Sequence, residues 1–231
     1  MNKPTFSIIT PTRNRDGRYE RETLTRCRMS VMGQTYPSDL YEHILVDDGN
    51  TEPITQLWPV ERIIRHDTPT ERYIAFNDGM KAAKNEWICF LDDDDEWVPF
   101  YLEYLARAIS ENPEVKLFNF GGLAVNEKEL WMRARPVHEF EQKVGASCES
   151  GDIVNGQFIF KRECLGKSGY MPDTPNLWHA YDIADIPGYG SDAGMKPLGN
   201  PFGNDFYIFY KLTRHYISKP LDLFLYICYL R

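Results

Sequence analysis

The chain has 231 residues, of which 42% are apolar and 14% aromatic, enough to bury a substantial core in one large domain or a domain with a small appendage. Its 34 acids outnumber 26 Lys and Arg, a net charge of −8 that excludes a general nucleic-acid surface. That balance leaves room for a small phosphorylated ligand, because a divalent cation inverts the local field.

Cysteines stand at 27, 89, 148, 164 and 228, an odd count with no C-x-x-C pair, and read as reduced thiols of a cytoplasmic chain. The early apolar run SIIT is too short for a secretory leader, and LDLFLYICYL (221–230) is about half a membrane span. No transmembrane segment is therefore expected. A membrane-bound acceptor is then reached by peripheral surface contact.

Residues 5–10 (TFSIIT) form a β-branched run ended by Pro11, a first buried strand followed by the turn PTRNRDGR (11–18). A helix follows over 20–33, with Leu24, Cys27, Val31 and Met32 facing inward and Pro37 beyond its end. EHILVDDGN (42–50) is a second strand with Asp47 and Asp48 at its exit. A carboxylate there either caps the Asp-Gly turn or accepts an imide N–H of a pyrimidine base or a ribose hydroxyl. VERIIRH (60–66) is a third strand, and Thr70–Lys84 reads as a helix with Ile74, Met80 and Ala83 inside. Arg72, near its start, is either an exposed surface arginine or a contact to a phosphate or base.

The run WICFLDDDDEWVP (87–99) organises the rest. Trp87–Leu91 has the length and composition of a fully buried strand, then gives way at once to Asp92, Asp93, Asp94, Asp95 and Glu96. The carboxyl ends of strands are where open α/β sheets bind ligands. Strand alternation turns Asp92 and Asp94 the same way, and hard oxygen ligands of this kind suit Mg²⁺ or Mn²⁺ beside substrate phosphates. A calcium loop reads poorly, because Trp97 stands where that loop needs Gly and Pro99 intrudes. A helix over 99–111 with Pro99 in its first turn comes next, then a strand over 115–125 broken by Gly121-Gly122.

The alternation of strands and helices through residue 125 indicates an α/β three-layer sandwich with a mostly parallel central sheet. No P-loop or G-x-G-x-x-G fingerprint is present. Further on, QFIFK (157–161) is a strand, and 170–203 is a long Gly-, Pro- and Asp-rich loop of the kind that is more often functional than idle. Asn204-Asp205 opens an amphipathic helix (206–216) with Phe206, Phe209, Tyr210 and Leu212. Asp205 is either its N-cap or a general base held at the end of the loop.

Taken together, SIITPTRN (7–14), S-V-x-x-Q-T-Y (30–36), ILVDDGNT (44–51), the Asn77-x-Gly79 helix, FLDDDDEWVP (90–99) and the Asp205 helix resemble family 2 glycosyltransferases of the GT-A, nucleotide-diphospho-sugar transferase-like fold. The resemblance is close to continuous over the first 110 residues. It implies a single GT-A domain, with 1–125 binding the nucleotide-sugar and 126–231 the acceptor. It also implies a metal-dependent, inverting transfer of a sugar from a nucleotide-sugar, UDP-sugar favoured, to the hydroxyl of a glycan, lipid-linked or protein acceptor in glycan or polysaccharide synthesis. By the same resemblance Asp48 matches the acid that reads the base, with Pro11, Thr12 and Arg13 beside that base. Asp92 and Asp94 match the D-x-D pair that holds Mn²⁺ or Mg²⁺, and Asp93 lies near the ribose or sugar. Asp205 matches the acid that deprotonates the acceptor, although Asn204 replaces the usual Glu, and Asn50 stands where Ser is commoner. The rival readings are a nucleotidyltransferase, which wants a Gly-rich basic loop that PTRNRDGR matches poorly, and a non-catalytic nucleotide- or metal-binding module.

Overall fold

The computed structural model describes residues 3–13, 20–70, 72–126, 128, 130–135, 137, 143–144, 155–170 and 204–230. Residues 171–203 of the predicted loop 170–203, most of the 11–18 turn and Cys148 lie outside them. Among the described residues all strands join one nine-stranded sheet, in the order β3-β2-β1-β4-β8-β6-β9-β5, with β7 also paired to β6. The strands are β1 (Phe6–Thr12), β2 (Tyr41–Asp48), β3 (Glu61–His66), β4 (Trp87–Phe90), β5 (Glu96–Trp97), β6 (Leu117–Asn126), β7 (Trp131–Arg135), β8 (Phe158–Lys161) and β9 (Ser218–Leu230). The first four pair in parallel. Beyond β4 the sheet is mixed: β8 runs antiparallel to both β4 and β6, and β9 runs parallel to β6.

Burial on both sheet faces follows from the alternation of side chains along each strand. Phe6, Ile8, Trp87, Cys89 and Leu91 face one way, against Cys27 and Val31 of α1 (Glu20–Met32) and Tyr101, Leu102 and Leu105 of α3 (Tyr101–Glu111). Ile9, Ile44, Val46, Ile88 and Phe90 face the other. They meet Phe76 and Met80 of α2 (Arg72–Ala82), and Ile208, Phe209 and Leu212 of α5 (Asn204–Thr213), which follows the short α4 (Leu165–Ser168). Helix, sheet and helix thus make the three layers. Phe90 sits edge-on to Phe76 at 5.0 Å and to Phe158 at 5.7 Å, so its truncation to Ala is expected to cost about 3–5 kcal/mol. Cys27, Cys89, Cys164 and Cys228 are all free thiols.

Several boundaries differ from the sequence reading, each for a local reason. β1 continues through Pro11 to Thr12: β4 pairs only as far as Ile9, so no ladder hydrogen bond on that side needs the N–H that Pro11 lacks. Met32 is 43% exposed rather than inward, whereas Arg28 is buried in an ion pair with Glu61 at 2.6 Å. The helix expected from Pro99 begins at Tyr101, with Phe100 as its N-cap. α5 starts at Asn204 and ends at Thr213, so Asp205 is in its first turn rather than capping it. Gly121-Gly122 does not break β6. The register against β9 shifts there instead, and a Cβ on Gly122 would stand 2.6 Å from the Tyr226 ring.

Candidate functional site

Parallel pairing brings the carboxyl ends of β1, β2 and β4 to one edge of the sheet, and an open cleft lies there. Pro11, Thr12, Arg13, Asp48, Arg72, Ala75, Asp92, Asp93 and Asp94 line it, enclosing about 680 Å³ with the open mouth included. That is the size range of a small-molecule site. Every residue singled out from the sequence is on this wall except Asp205, whose side chain is outside the described residues.

The two acids ending β2 have different jobs. Asp47 is fully buried and its carboxylate is spent inside the protein. Oδ1 accepts from the Asn50 amide at 2.7 Å, and Oδ2 accepts from Ile54 N at 3.0 Å and Arg65 at 2.5 Å. Asn50 also donates to Thr12 O at 3.1 Å, tying the exits of β1 and β2 together. Asp48 faces the cleft. Its Oδ1 accepts from Thr70 N at 2.8 Å and Thr70 Oγ1 at 2.6 Å, and meets His66 Nδ1 at 2.8 Å. Among the described residues nothing hydrogen-bonds its Oδ2. Burial pushes the Asp48 carboxyl up, but the Thr70 and His66 hydrogen bonds outweigh it and hold the group below the ordinary range.

Past β4 the chain does not stay extended. It turns, with Asp95 N donating to Asp92 O at 3.1 Å, so strand alternation is not what aims these acids. The turn gathers a third carboxylate that the D-x-D pattern omits: oxygens of Asp92, Asp94 and Asp95 all lie within 4.8 Å of one another. Asp95 is buried, accepts from Tyr229 N at 3.1 Å and takes the Tyr226 hydroxyl on Oδ2. β9 therefore anchors the acidic turn from the far side of the sheet, through a strand whose reach no local pattern signals. Desolvation, then the charges of Asp92 and Asp94, push Asp95 up to about 8. Desolvation raises Asp93 to about 7 against the pull of its hydrogen bond from Thr12, with Asp94 and Asp92 adding to the rise. Arg72 donates to Asp92 Oδ1 at 2.5 Å and lies 5.4 Å from the Phe76 ring centre.

This donor set fits a hard divalent cation. Three carboxylates gathered within 4.8 Å of one another offer oxygen alone, the donor type such a cation takes.

A mixed α/β sheet presenting acids at the carboxyl ends of its parallel strands is the architecture of the GT-A fold. The sequence matches the family model described as "Glycosyl transferase family 2" over residues 7–169, and the chain belongs to that family. An uncharacterized glycosyltransferase of Haemophilus influenzae is 33% identical over 114 residues, 48% of this chain and 36% of that protein. The putative colanic acid biosynthesis glycosyl transferase WcaA of Escherichia coli is 33% identical over 105 residues, 42% of this chain and 35% of that protein. The chain thus spans about a third of the length of these relatives. Residues 1–349 of S. aureus TarS, solved in complex with UDP-GlcNAc, superpose with a TM-score of 0.63 at 16% identity, over 98% of this chain and 59% of that one, which shows a shared fold. Among the described residues no helix is long and apolar enough to cross a membrane.

Proposed function

We propose that the chain is a metal-dependent inverting glycosyltransferase, moving a hexose-like sugar from a nucleotide-sugar to an acceptor hydroxyl. UDP-sugar is the favoured donor and a glycan, lipid-linked or protein acceptor the partner. The observation that carries this reading is the single cleft on which Asp48, Arg72, Asp92, Asp93 and Asp94 all open. Names among the relatives, colanic acid biosynthesis included, support a role in polysaccharide synthesis.

Each residue then has a physical task. Asp48 offers an acceptor oxygen to a base N–H, with Pro11, Thr12 and Arg13 as the wall beside the base. Arg72 exchanges its Asp92 contact for donor phosphate oxygens, a charge-assisted bond of the stronger kind. Asp92 and Asp94, with Asp95 behind them, hold Mn²⁺ or Mg²⁺, and Asp93 stands close to the ribose or sugar. The cation, when bound, supplies positive charge against the diphosphate leaving group. Asp205 takes the acceptor proton as the acceptor oxygen bonds to the anomeric carbon and the bond from that carbon to the diphosphate breaks. One such displacement inverts the centre without a protein nucleophile. In this reading residues 1–125 carry the donor and 126–231 the acceptor.

The test incubates the chain with a panel of nucleotide-sugars and Mn²⁺, following release of nucleoside diphosphate with and without candidate acceptor glycans. Release that falls sharply in Asp205→Asn, with donor binding kept, supports the assignment. Binding without any turnover on the whole panel points to a non-catalytic module.

A further inference from the structure

Asp48 is held by residues behind the cleft. His66 sits across from it in the β2–β3 register, with Nδ1 2.8 Å from Asp48 Oδ1 and Nε2 3.1 Å from Asp78 Oδ2. Neither His66 nor Asp78 lines the cleft. Asp78 on α2 is in turn 3.3 Å from Lys81 Nζ, so the ring is wedged between a strand-end acid and a helix acid. Thr70 grips the same Oδ1 from the other side, and Arg13 donates to Thr70 O at 3.0 Å. The Thr68–Pro69 backbone packs directly on Gly49, whose φ of 70° and lack of a side chain permit it; a Cβ there would lie 2.3 Å from Pro69 N. All of the contacts fall on one oxygen of Asp48. Turning the carboxylate to present both oxygens would break them.

We infer that His66, backed by Asp78, is a positioning residue that makes Asp48 a one-oxygen acceptor and so sets which nucleobase the cleft accepts. This rests on the donor-site reading above. Uracil and thymine present one ring N–H on the edge that faces such an acceptor, and one free oxygen satisfies it. Guanine presents two adjacent donors, N1–H and the 2-amino group, which a carboxylate meets best with both oxygens. With Oδ1 occupied, one guanine donor is left unpaired in a partly desolvated site, a loss of about tenfold or more in affinity. The His66 lock therefore selects a uracil or thymine nucleotide over a guanine nucleotide. It does so without touching the ligand.

Calorimetric titration of the full chain with UDP, GDP and inorganic pyrophosphate, each with Mn²⁺, tests this. The wild type is expected to favour UDP over GDP by about tenfold or more. With Thr70 still on Oδ1, His66→Ala is expected to reduce that ratio severalfold while leaving pyrophosphate affinity unchanged. His66→Asn, whose amide nitrogen takes the place of Nδ1, restores most of it. A merely structural role would weaken all three ligands together and leave the ratio alone. If His66→Ala does not fold, Asp78→Asn, on the helix surface, is expected to lower the ratio severalfold. A wild type that prefers GDP, or a ratio that survives both substitutions, overturns the inference while the donor site stands. A wild type that binds none of the three removes the donor-site reading itself.

Discussion

The exits of β2 and β4 both end in consecutive acids, and the protein treats them in opposite ways. At the β2 exit its own donors satisfy the carboxylates: Asn50, Ile54 and Arg65 on Asp47, and Thr70 and His66 on one oxygen of Asp48. Asp48 is accordingly held below the ordinary carboxyl range. At the β4 exit the acids face one another, and burial with mutual repulsion lifts Asp93 to about 7 and Asp95 to about 8. Arg72 pairs with Asp92, yet the crowding of these carboxylates still lifts two of them, which suits a further cation. The first exit is satisfied by folding except at Asp48 Oδ2, and in the proposed function a cation completes the second.

The sharpest way to break this contrast is to remove the cation-facing acids. Asp92→Asn combined with Asp94→Asn is expected to lower sugar transfer by about a thousandfold, read as the initial rate with whichever nucleotide-sugar the wild type uses. The fold should be intact by circular dichroism, since these side chains are not in the core.

Upstream in β2, His43 sharpens the comparison through pH. It is fully buried, with Nε2 2.9 Å from Thr10 Oγ1, and desolvation lowers its pKa from 6.5 to about 4. Because the unfolded chain takes up a proton that the folded chain refuses, stability is full above about pH 6.5 and declines as pH falls towards 4. The total loss is about 3 kcal/mol. Urea midpoints measured between pH 7 and pH 4 should show this decline, and His43→Gln should flatten it.

Asp47→Asn tests the self-satisfied exit. Loss of the Arg65 charge pair is expected to cost about 2 kcal/mol, seen as a lower urea midpoint at unchanged slope. Mn²⁺ binding should be untouched. The smallest effect expected is stabilisation by the metal alone, about 1 kcal/mol when Mn²⁺ is about fivefold above its Kd. It should raise the melting temperature of the wild type and of Asp47→Asn, but not of Asp94→Asn.

Much of this arrangement was legible in the chain because it is local. A buried apolar run that turns abruptly acidic marks a strand exit, and the alternation of such strands with helices fixes which exits lie side by side. That logic pointed to Asp48, Arg72, Asp92 and Asp94, the resemblance to family 2 glycosyltransferases added Pro11, Thr12, Arg13 and Asp93, and all of them line one wall. What it missed depends on contacts far apart in sequence. Asp95 joins Asp92 and Asp94 because the chain turns after Leu91 and Tyr226 holds it, a contact across 131 positions that no periodicity encodes. His66 meets Asp48, and Asp78 meets His66, only once β3 is in register with β2 and α2 lies over both. The carboxyl-terminal part was harder still. β9 serves β6 along one edge and β5 at the other, and the register shift at Gly121-Gly122 that accommodates Tyr226 looks, in sequence, like a strand break.

The central claim is that the β4 acids and Asp48 act as two ends of one donor site, and calorimetric titration with UDP in the presence and absence of Mn²⁺ measures it most directly. The account predicts binding that requires the metal and is lost in Asp94→Asn. Binding of equal strength without the metal, or in Asp94→Asn, would contradict it.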